Sequence, residues 1–331
     1  MAGEFDLISR LARIAAPVGP SPGLVLGIGD DAAVLDPGGP RHWLVSCDLL
    51  VEGVHFRPEW FPPRDLGWKA LAVSLSDIAA MGGLPRYALV SLTVPRWGNE
   101  FWPEEFYHGL ADAARVYGVD LIGGDTAGGP VAVADVFLLG EVEPGQAVTR
   151  AGARPGDLLL VTGDLGKGAA ALAVLVRPGT NPALAPAAGA LLRPEPRVSQ
   201  GRALAQAGAT AMIDVSDGLA GDLGHLLERS GPGVAARLWR DSLPVSEMTA
   251  AVARDCGQDP LAWVLTGGED YELLAAVPPG RAAEALKACG GMVVGEIVPG
   301  GGEIELEDAA GHREVIAAKG FDHFRRDRPC S

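Results

Sequence analysis

"LGIGDDAAVLD", residues 26–36, sets two adjacent carboxylates, Asp30 and Asp31, directly after a glycine turn. How this stretch is read decides between two folds. Taken as Gly27-Ile28-Gly29-Asp30-Asp31-Ala32 it satisfies G-x-G-x-x-A, and Asp48 follows about 20 residues later, as a dinucleotide-binding fingerprint requires. Such a turn must feed a helix whose N-terminal N–H groups hold a pyrophosphate, and two carboxylates there would repel it. The continuation "AAVLDPGGP" is also too short and too broken to form that helix. The dinucleotide-binding fold is therefore set aside, and the Asp30-Asp31 pair needs a positive partner.

Further along the chain the same residue type recurs at element ends beside small residues: Asp48 in "VSCDLLVEGVHF", Asp77 in "SLSDIAAMGG", Asp125 in "IGGDTAGG", and Asp214 with Asp217 in "IDVSDGL". Any single one is an ordinary turn or helix-cap aspartate. As a set they describe something else. Two bare carboxylates about 4 Å apart repel by about 4 kcal/mol at an effective dielectric of 20, so a cluster requires a cation. Hard oxygen donors without a His/Cys set point to Mg²⁺, or to Mn²⁺ or Ca²⁺, rather than zinc. Mg²⁺ is commonly shared between carboxylates and substrate phosphates, which reconciles an acidic site with an anionic ligand.

A second glycine-rich turn, "VTGDLGKGAA", places Gly166-Lys167 after an apolar run, but Val161 and Gly168 break the G-x-x-x-x-G-K-[ST] pattern at two positions. Gly163, Gly166 and Gly168 read instead as a strand-to-helix turn. On the substrate side, "GVHF" offers His55, equally readable as a structural histidine. "TGGEDYELL" sets Glu269 and Asp270 after a Gly-Gly turn, so that Glu269 faces a ligand while Tyr271 packs, or the segment is a plain hairpin turn. Arg150 in "TRAGARPGD" is either a phosphate clamp or a solvated linker charge.

The chain as a whole has 331 residues, room for two domains each with its own core. Its 48% hydrophobic and 21% charged residues are those of a soluble globular protein. With 42 acidic against 27 basic residues the net charge is −15, which argues against nucleic acid or an anionic membrane as the main partner. The four cysteines show no C-x-x-C spacing, which suits a reducing cytoplasm. "MAGEFDLISRLARIAAP" lacks the basic start and long apolar run of a signal peptide, and no stretch is long enough for a transmembrane helix.

Helical periodicity is expected over 4–16, within 63–83 (closing on Gly82-Gly83), and over about 103–118, 167–176, 196–207 and 218–229; strands are expected at 42–47, 86–94, 119–125, 131–142, 158–163 and 210–216. Pro- and Ala-rich 178–196 reads as a surface excursion, and 149–157 as a domain junction. Strands and helices alternate in both halves, so the class is α/β or α+β.

The ordered set "GIGDDAAV", "SCDLLVEGVHF", "KALAVSLSDIAAMGG", "LIGGDTAGG", "TRAGARPGD", "IDVSDGL", "GGEDYEL" and "KGFDHF" resembles the thiamine-monophosphate kinase family, within the aminoimidazole-ribonucleotide-synthetase-like ATP-binding superfamily, from about residue 4 to 324. "VEGVHF", "GGEDYEL" and the terminal "KGFDHF" favour that branch over selenophosphate synthetase and a hydrogenase maturation factor. The resemblance implies an α/β N-terminal domain, 1–148, for metal and ATP binding and dimerisation, and an α+β C-terminal domain, 149–331. It also implies a β-barrel formed across a homodimer, ATP in the cleft between domains and several Mg²⁺ ions.

By position it implies Asp30, Asp31, Ser46, Asp48, Asp77, Asp125, Asp214 and Asp217 as metal ligands, Gly124, Asp125, Arg150 and Ser216 at ATP, and His55, Glu269 and Phe321 at the thiamine phosphate. Asp77, Asp125 and Arg150 would carry the catalytic roles. Cys47, Ser74 and Ala127 depart from the family's usual residues. A competing class is a non-catalytic nucleotide or metal sensor on the same fold.

Overall fold

The computed structural model describes residues 4–15, 22–177, 179 and 181–321. The linker "PVGPSPG" (17–23) and the end of "KGFDHF" beyond Phe321 therefore lie mainly outside the described residues. Helix α1 (Glu4–Ile14) opens the first half. Its strands are β1 (Leu24–Leu26), β2 (Ala33–Leu35), β3 (His42–Val51), β4 (Leu84–Pro95), β5 (Asp120–Gly129) and β6 (Val133–Val142). They form one sheet in the order β1-β2-β3-β6-β4-β5, antiparallel except for the parallel pair β4 and β5. The sheet is thus mixed and mainly antiparallel, not the parallel sheet that an α/β label denotes. Alternation sets its two faces: in β6, Ala134, Val136 and Leu138 are buried while Asp135, Phe137 and Leu139 are not.

Against the buried face lie α2 (Pro63–Ala80) and α3 (Trp102–Tyr117). Their crossing is tight because Gly67 and Gly109 carry no side chain: a Cβ on Gly67 would sit 1.9 Å from the Phe106 carbonyl oxygen, and one on Gly109 would sit 1.8 Å from that of Arg64. Helix α2 is buried almost all round, from Leu66 to Ala80. Its small residues, Ala70, Ala72, Ser74, Ser76, Ala79 and Ala80, let sheets approach it from both sides.

The second half contains β7 (Leu158–Val161), α4 (Lys167–Val176), a 3₁₀ turn (Pro182–Ala188), α5 (Gly189–Leu192), α6 (Val198–Gln206), β8 (Ala211–Val215), α7 (Leu219–Ser230) and β9 (Gly233–Trp239). After a second 3₁₀ turn (Arg240–Ser242) come α8 (Glu247–Cys256), α9 (Pro260–Thr266), β10 (Glu272–Val277), α10 (Pro279–Cys289), β11 (Met292–Gly300), β12 (Ile304–Glu307) and β13 (Arg313–Ile316). The sheet order is β13-β12-β9-β11-β7-β10-β8, again mixed, with only β12 and β9 parallel among neighbours. One buried cluster runs from Leu44, Leu75 and Ile78 through Met212, Leu273 and Ala275, so the two sheets share a core with α2 between them.

One expectation changes. Segment 178–196 is not a bare surface excursion, since Leu184, Ala187 and Leu191 are buried and the Asn181 side chain caps the 3₁₀ turn through Ala183 N–H. Segment 149–157, read as a domain junction, is folded in: Ala153 is buried, its N–H donates to Ser230 Oγ at 3.1 Å, and Thr149 O accepts from Met212 N–H at 3.0 Å. Among the described residues no helix is long and apolar enough to cross a membrane.

Candidate active site

Four elements converge at the C-terminal end of α2. Asp31 sits in the turn before β2, Ser46 and Asp48 on the core face of β3, Asp77 in the last turn of α2, and Asp214 on β8. Carboxylate oxygens of Asp31, Asp77 and Asp214 all lie within 4.8 Å of one another. Ser46 Oγ donates to Asp77 and lies 3.5 Å from Asp48 Oδ2. Ser76 Oγ donates to Asp214 Oδ2 at 2.7 Å.

Arg150 is no solvated charge. Its Nη2 reaches Asp31 Oδ1 at 2.6 Å and its Nε the same oxygen at 3.2 Å, while its backbone N–H donates to Asp30 at 3.1 and 3.2 Å.

The cluster is electrostatically unsatisfied. Burial, then the neighbouring Asp48, Asp214 and Asp31, hold the Asp77 carboxyl well above the usual carboxylate range. Burial and Asp31 push Asp214 up to about 7. Asp31 and Asp48 are raised, mainly by burial, and burial with the charge of Asp31 raises Asp30 to about 6. Among the described residues Asp31 Oδ2 is buried with no hydrogen-bond partner. An orphaned buried oxygen beside two converging carboxylates, all hard donors, fits a divalent cation of the Mg²⁺ class.

From this cage a cleft of about 810 Å³ extends between the two halves, lined by Asp48, Asp77, Asp214, Ser216 and Asp217 together with His55, Trp60, Phe61, Leu172, Glu269 and Phe321. His55 Nδ1 accepts from the Val51 N–H at 3.0 Å, which leaves the proton of a neutral ring on Nε2. Phe321 is attached to the acidic turn, its N–H donating to Asp217 O at 3.0 Å. Ser216 O accepts from Glu269 N–H at 2.7 Å, so the acidic strand end and the Glu269 loop are held as one piece. Tyr271 packs inside, 8% exposed, as the packing reading of its motif expects. The "GDLGKG" turn does lead a strand into α4, and Lys167 turns inward to pair with buried Glu272.

Two of the residues implied by resemblance stand apart. Asp125 pairs in register with Ser91, which pairs with Asp135, which pairs with Leu49, so it shares their outer face of the first sheet. It therefore lies on the opposite face from Ser46 and Asp48, three strand spacings or about 14 Å from β3. Gly124 is needed for close pairing, because a Cβ there would sit 1.9 Å from Val90 O. Cys47 also lies on the outer face, bonded to Asp135 Oδ1 at 3.0 Å.

Sequence reasoning missed Ser76 and Lys69, although both lie inside a quoted motif. The signal for Ser76 was its place beside Asp77. That for Lys69 was a charge among the apolar and small residues of "LGWKALAVSLS". Asp222, which accepts from Asp217 N–H at 3.1 Å, carried no recognisable signal.

Comparison with known proteins places this geometry among relatives. The AIR synthase related protein N-terminal domain matches residues 29–142, and the corresponding C-terminal domain matches 154–307. The thiamine-monophosphate kinase of Escherichia coli K12 is 40% identical over 97% of this chain and 98% of its own. That of Bacillus subtilis is 40% identical over 83% of each chain. A solved structure of AaThiL complexed with AMPPCP and TMP superposes with a TM-score of 0.84, at 32% identity over 97% of both chains.

Proposed function

The chain belongs to the thiamine-monophosphate kinase branch of the AIR synthase related family, and from this premise we propose that it transfers the γ-phosphoryl group of ATP in line to thiamine monophosphate, giving thiamine diphosphate and ADP. The observation that carries the reading is the cleft in which the carboxylate cage and the His55, Glu269 and Phe321 positions meet. Phosphoryl transfer between two polyanions demands positioning and positive charge more than acid–base chemistry. The acceptor is itself a phosphate, largely ionised near neutrality because its second pKa is about 6, so no general base is required.

Asp31, Asp77 and Asp214, with Ser46, Asp48, Asp30 and Asp217 around them, would hold Mg²⁺, which supplies the positive charge that lets the two phosphate groups approach. Arg150 clamps ATP phosphates and Ser216 contacts the nucleotide. His55 donates from Nε2 to the acceptor phosphate, Glu269 accepts from its aminopyrimidine, and Phe321 packs on a ring. Asp125 and Gly124 complete this set only through a second copy of the chain. A homodimer closing a barrel over the outer sheet face is supported by the apolar residues exposed there, Leu49, Tyr87 and Leu89. Sedimentation at twice the chain mass checks it. The gap between the sheets, from Val142 to Leu158, supports the domain division at 148/149.

The decisive experiment supplies purified protein with ATP, Mg²⁺ and a panel of acceptors, and follows ADP and thiamine diphosphate by chromatography. Thiamine diphosphate forms in step with ADP. Release of ADP with selenide or a formylglycinamidine nucleotide, but not with thiamine monophosphate, overturns the acceptor assignment.

Proton and cation compete for the same oxygens, which gives a second expected result. Asp214 is raised in the folded chain, so the folded state binds its proton more tightly than the unfolded one. Its contribution therefore turns unfavourable as pH rises from about 4 to about 7. Mg²⁺ at about 100 times its Kd then raises Tm by about 5 °C near pH 7.5, and by clearly less near pH 5.5. Scanning calorimetry with and without Mg²⁺ at both pH values is the check, and an equal shift at both would contradict the cage.

A further inference from the structure

The Lys69 side chain has no exposed surface, although it carries a charge and stands in the middle of α2. Its Nζ donates to Glu269, 200 residues away on the loop before β10, and lies 5.2 Å from the centre of the Phe61 ring. A buried ammonium without a carboxylate is strongly unfavourable, so the pair is held together as a unit. It joins the helix that carries Asp77 to a loop that lines the same cleft. Lys69 stands eight positions before Asp77, about 12 Å along the helix axis.

The Glu269 loop is fixed from its other side as well. Glu269 and Tyr271 both adopt positive φ, 68° and 51°, in the left-handed region that non-glycine residues rarely occupy. Holding them there are Glu269 N–H to Ser216 O at 2.7 Å and Tyr271 N–H to Val215 O at 2.8 Å. Between them, the buried Asp270 carboxylate accepts from Gly166 N–H at 2.7 Å and Gly168 N–H at 2.9 Å. The backbone is thus set entirely by the second half of the chain. What remains adjustable is the rotamer of the Glu269 side chain, and Lys69 fixes it.

We infer that Lys69 is a positioning residue of the acceptor subsite: it orients the Glu269 carboxylate, across the domain boundary, as a preformed hydrogen-bond acceptor for the amino group of a nitrogen heterocycle. The inference rests on the kinase reading with thiamine monophosphate as acceptor.

Steady-state kinetics of wild type, Lys69→Met, Glu269→Gln and the double variant test it, with both substrates varied. Lys69→Met raises KM for thiamine monophosphate about tenfold, with kcat and KM for ATP within about twofold of wild type. In the Glu269→Gln background the same change leaves the acceptor KM unmoved, because Lys69 acts only through that carboxylate. Lys69→Arg, which keeps the charge, recovers part of the acceptor affinity.

An unchanged acceptor KM in Lys69→Met, an equal rise in KM for ATP, or a further loss in the double variant overturns the inference. Should Glu269→Gln, which leaves the buried ammonium without a carboxylate, not fold, Lys69→Met, which leaves only a partly exposed carboxylate, still decides it against wild type and Lys69→Arg. A wild-type protein that does not consume thiamine monophosphate overturns the kinase reading and this inference with it. Normal wild-type turnover with an unmoved Lys69→Met overturns the inference alone.

Discussion

Asp77→Asn lowers thiamine diphosphate formation at least about 1000-fold, equivalent to about 4 kcal/mol of lost transition-state stabilisation, while the chain still unfolds cooperatively. Asn preserves the volume and can still accept from Ser46, which donates to Asp77. What disappears is the charge at the centre of the cage, within 4.8 Å of both Asp31 and Asp214 oxygens. At that separation each pair of ionised carboxylates repels by about 3 kcal/mol at an effective dielectric of 20. Without metal the fold already holds Asp77 against ionisation, so a neutral Asn in its place keeps the metal-free Tm level or raises it. Activity and stability move in opposite directions, the signature of a site whose groups are arranged for a ligand rather than for the fold. Turnover near the wild-type level at limiting Mg²⁺ would show that the carboxylates do not share a cation.

Asp31, Asp77 and Asp214 were legible in the sequence because each stands beside small residues at the end of an element, where a carboxylate does little for packing. Their convergence, over 183 positions of chain between the first and the last, follows from α2 being buried between the two sheets. The sheets themselves were only half legible. Strand–helix alternation suggests parallel crossovers, but spatial neighbours such as β7, β10 and β8 come from distant segments and run antiparallel. Pairing of that kind leaves no local trace.

Asp125 shows a further limit. "IGGDTAGG" has no alternation of polar and apolar residues, so nothing in it says which face of β5 its aspartate takes. Only the register with Ser91 does. The partner of Arg150 was hidden as well, because a Gly- and Pro-rich segment reads as solvated while its cation is folded back onto Asp31, 119 residues earlier. Lys69 has no assignment from periodicity, which describes α2 only as a helix with some polar positions. A charge inside a helix buried all round is a demand for a partner, and that burial becomes visible only once both sheets are in place.

Arg150→Gln separates two effects that share one side chain: Mg²⁺ binding without nucleotide tightens by about tenfold, yet kcat/KM for ATP falls by about 100-fold. In the structure the guanidinium occupies Asp31 Oδ1 and compensates part of the cage's negative charge. Burial disfavours charge on Arg150, but Asp31 first, then Asp214 and Asp30, hold its pKa raised, so it stays cationic. Were Asp31 to hold the cation through Oδ1 it would release this partner, and the arginine would be free to turn to the ATP phosphates of the proposed reaction. In the proposed reaction the residue would be a stand-in cation beforehand and a phosphate clamp during transfer.

Glutamine removes the competition but also the clamp, so the cation binds more readily while the nucleotide binds and reacts less well. Arg150→Lys keeps the charge but not the two-nitrogen contact on one oxygen, so its values fall between the two. Calorimetric titration of Mg²⁺ without ATP, alongside steady-state kinetics, measures both sides. Weaker Mg²⁺ binding in Arg150→Gln would mean that the arginine organises the cage rather than occupying it.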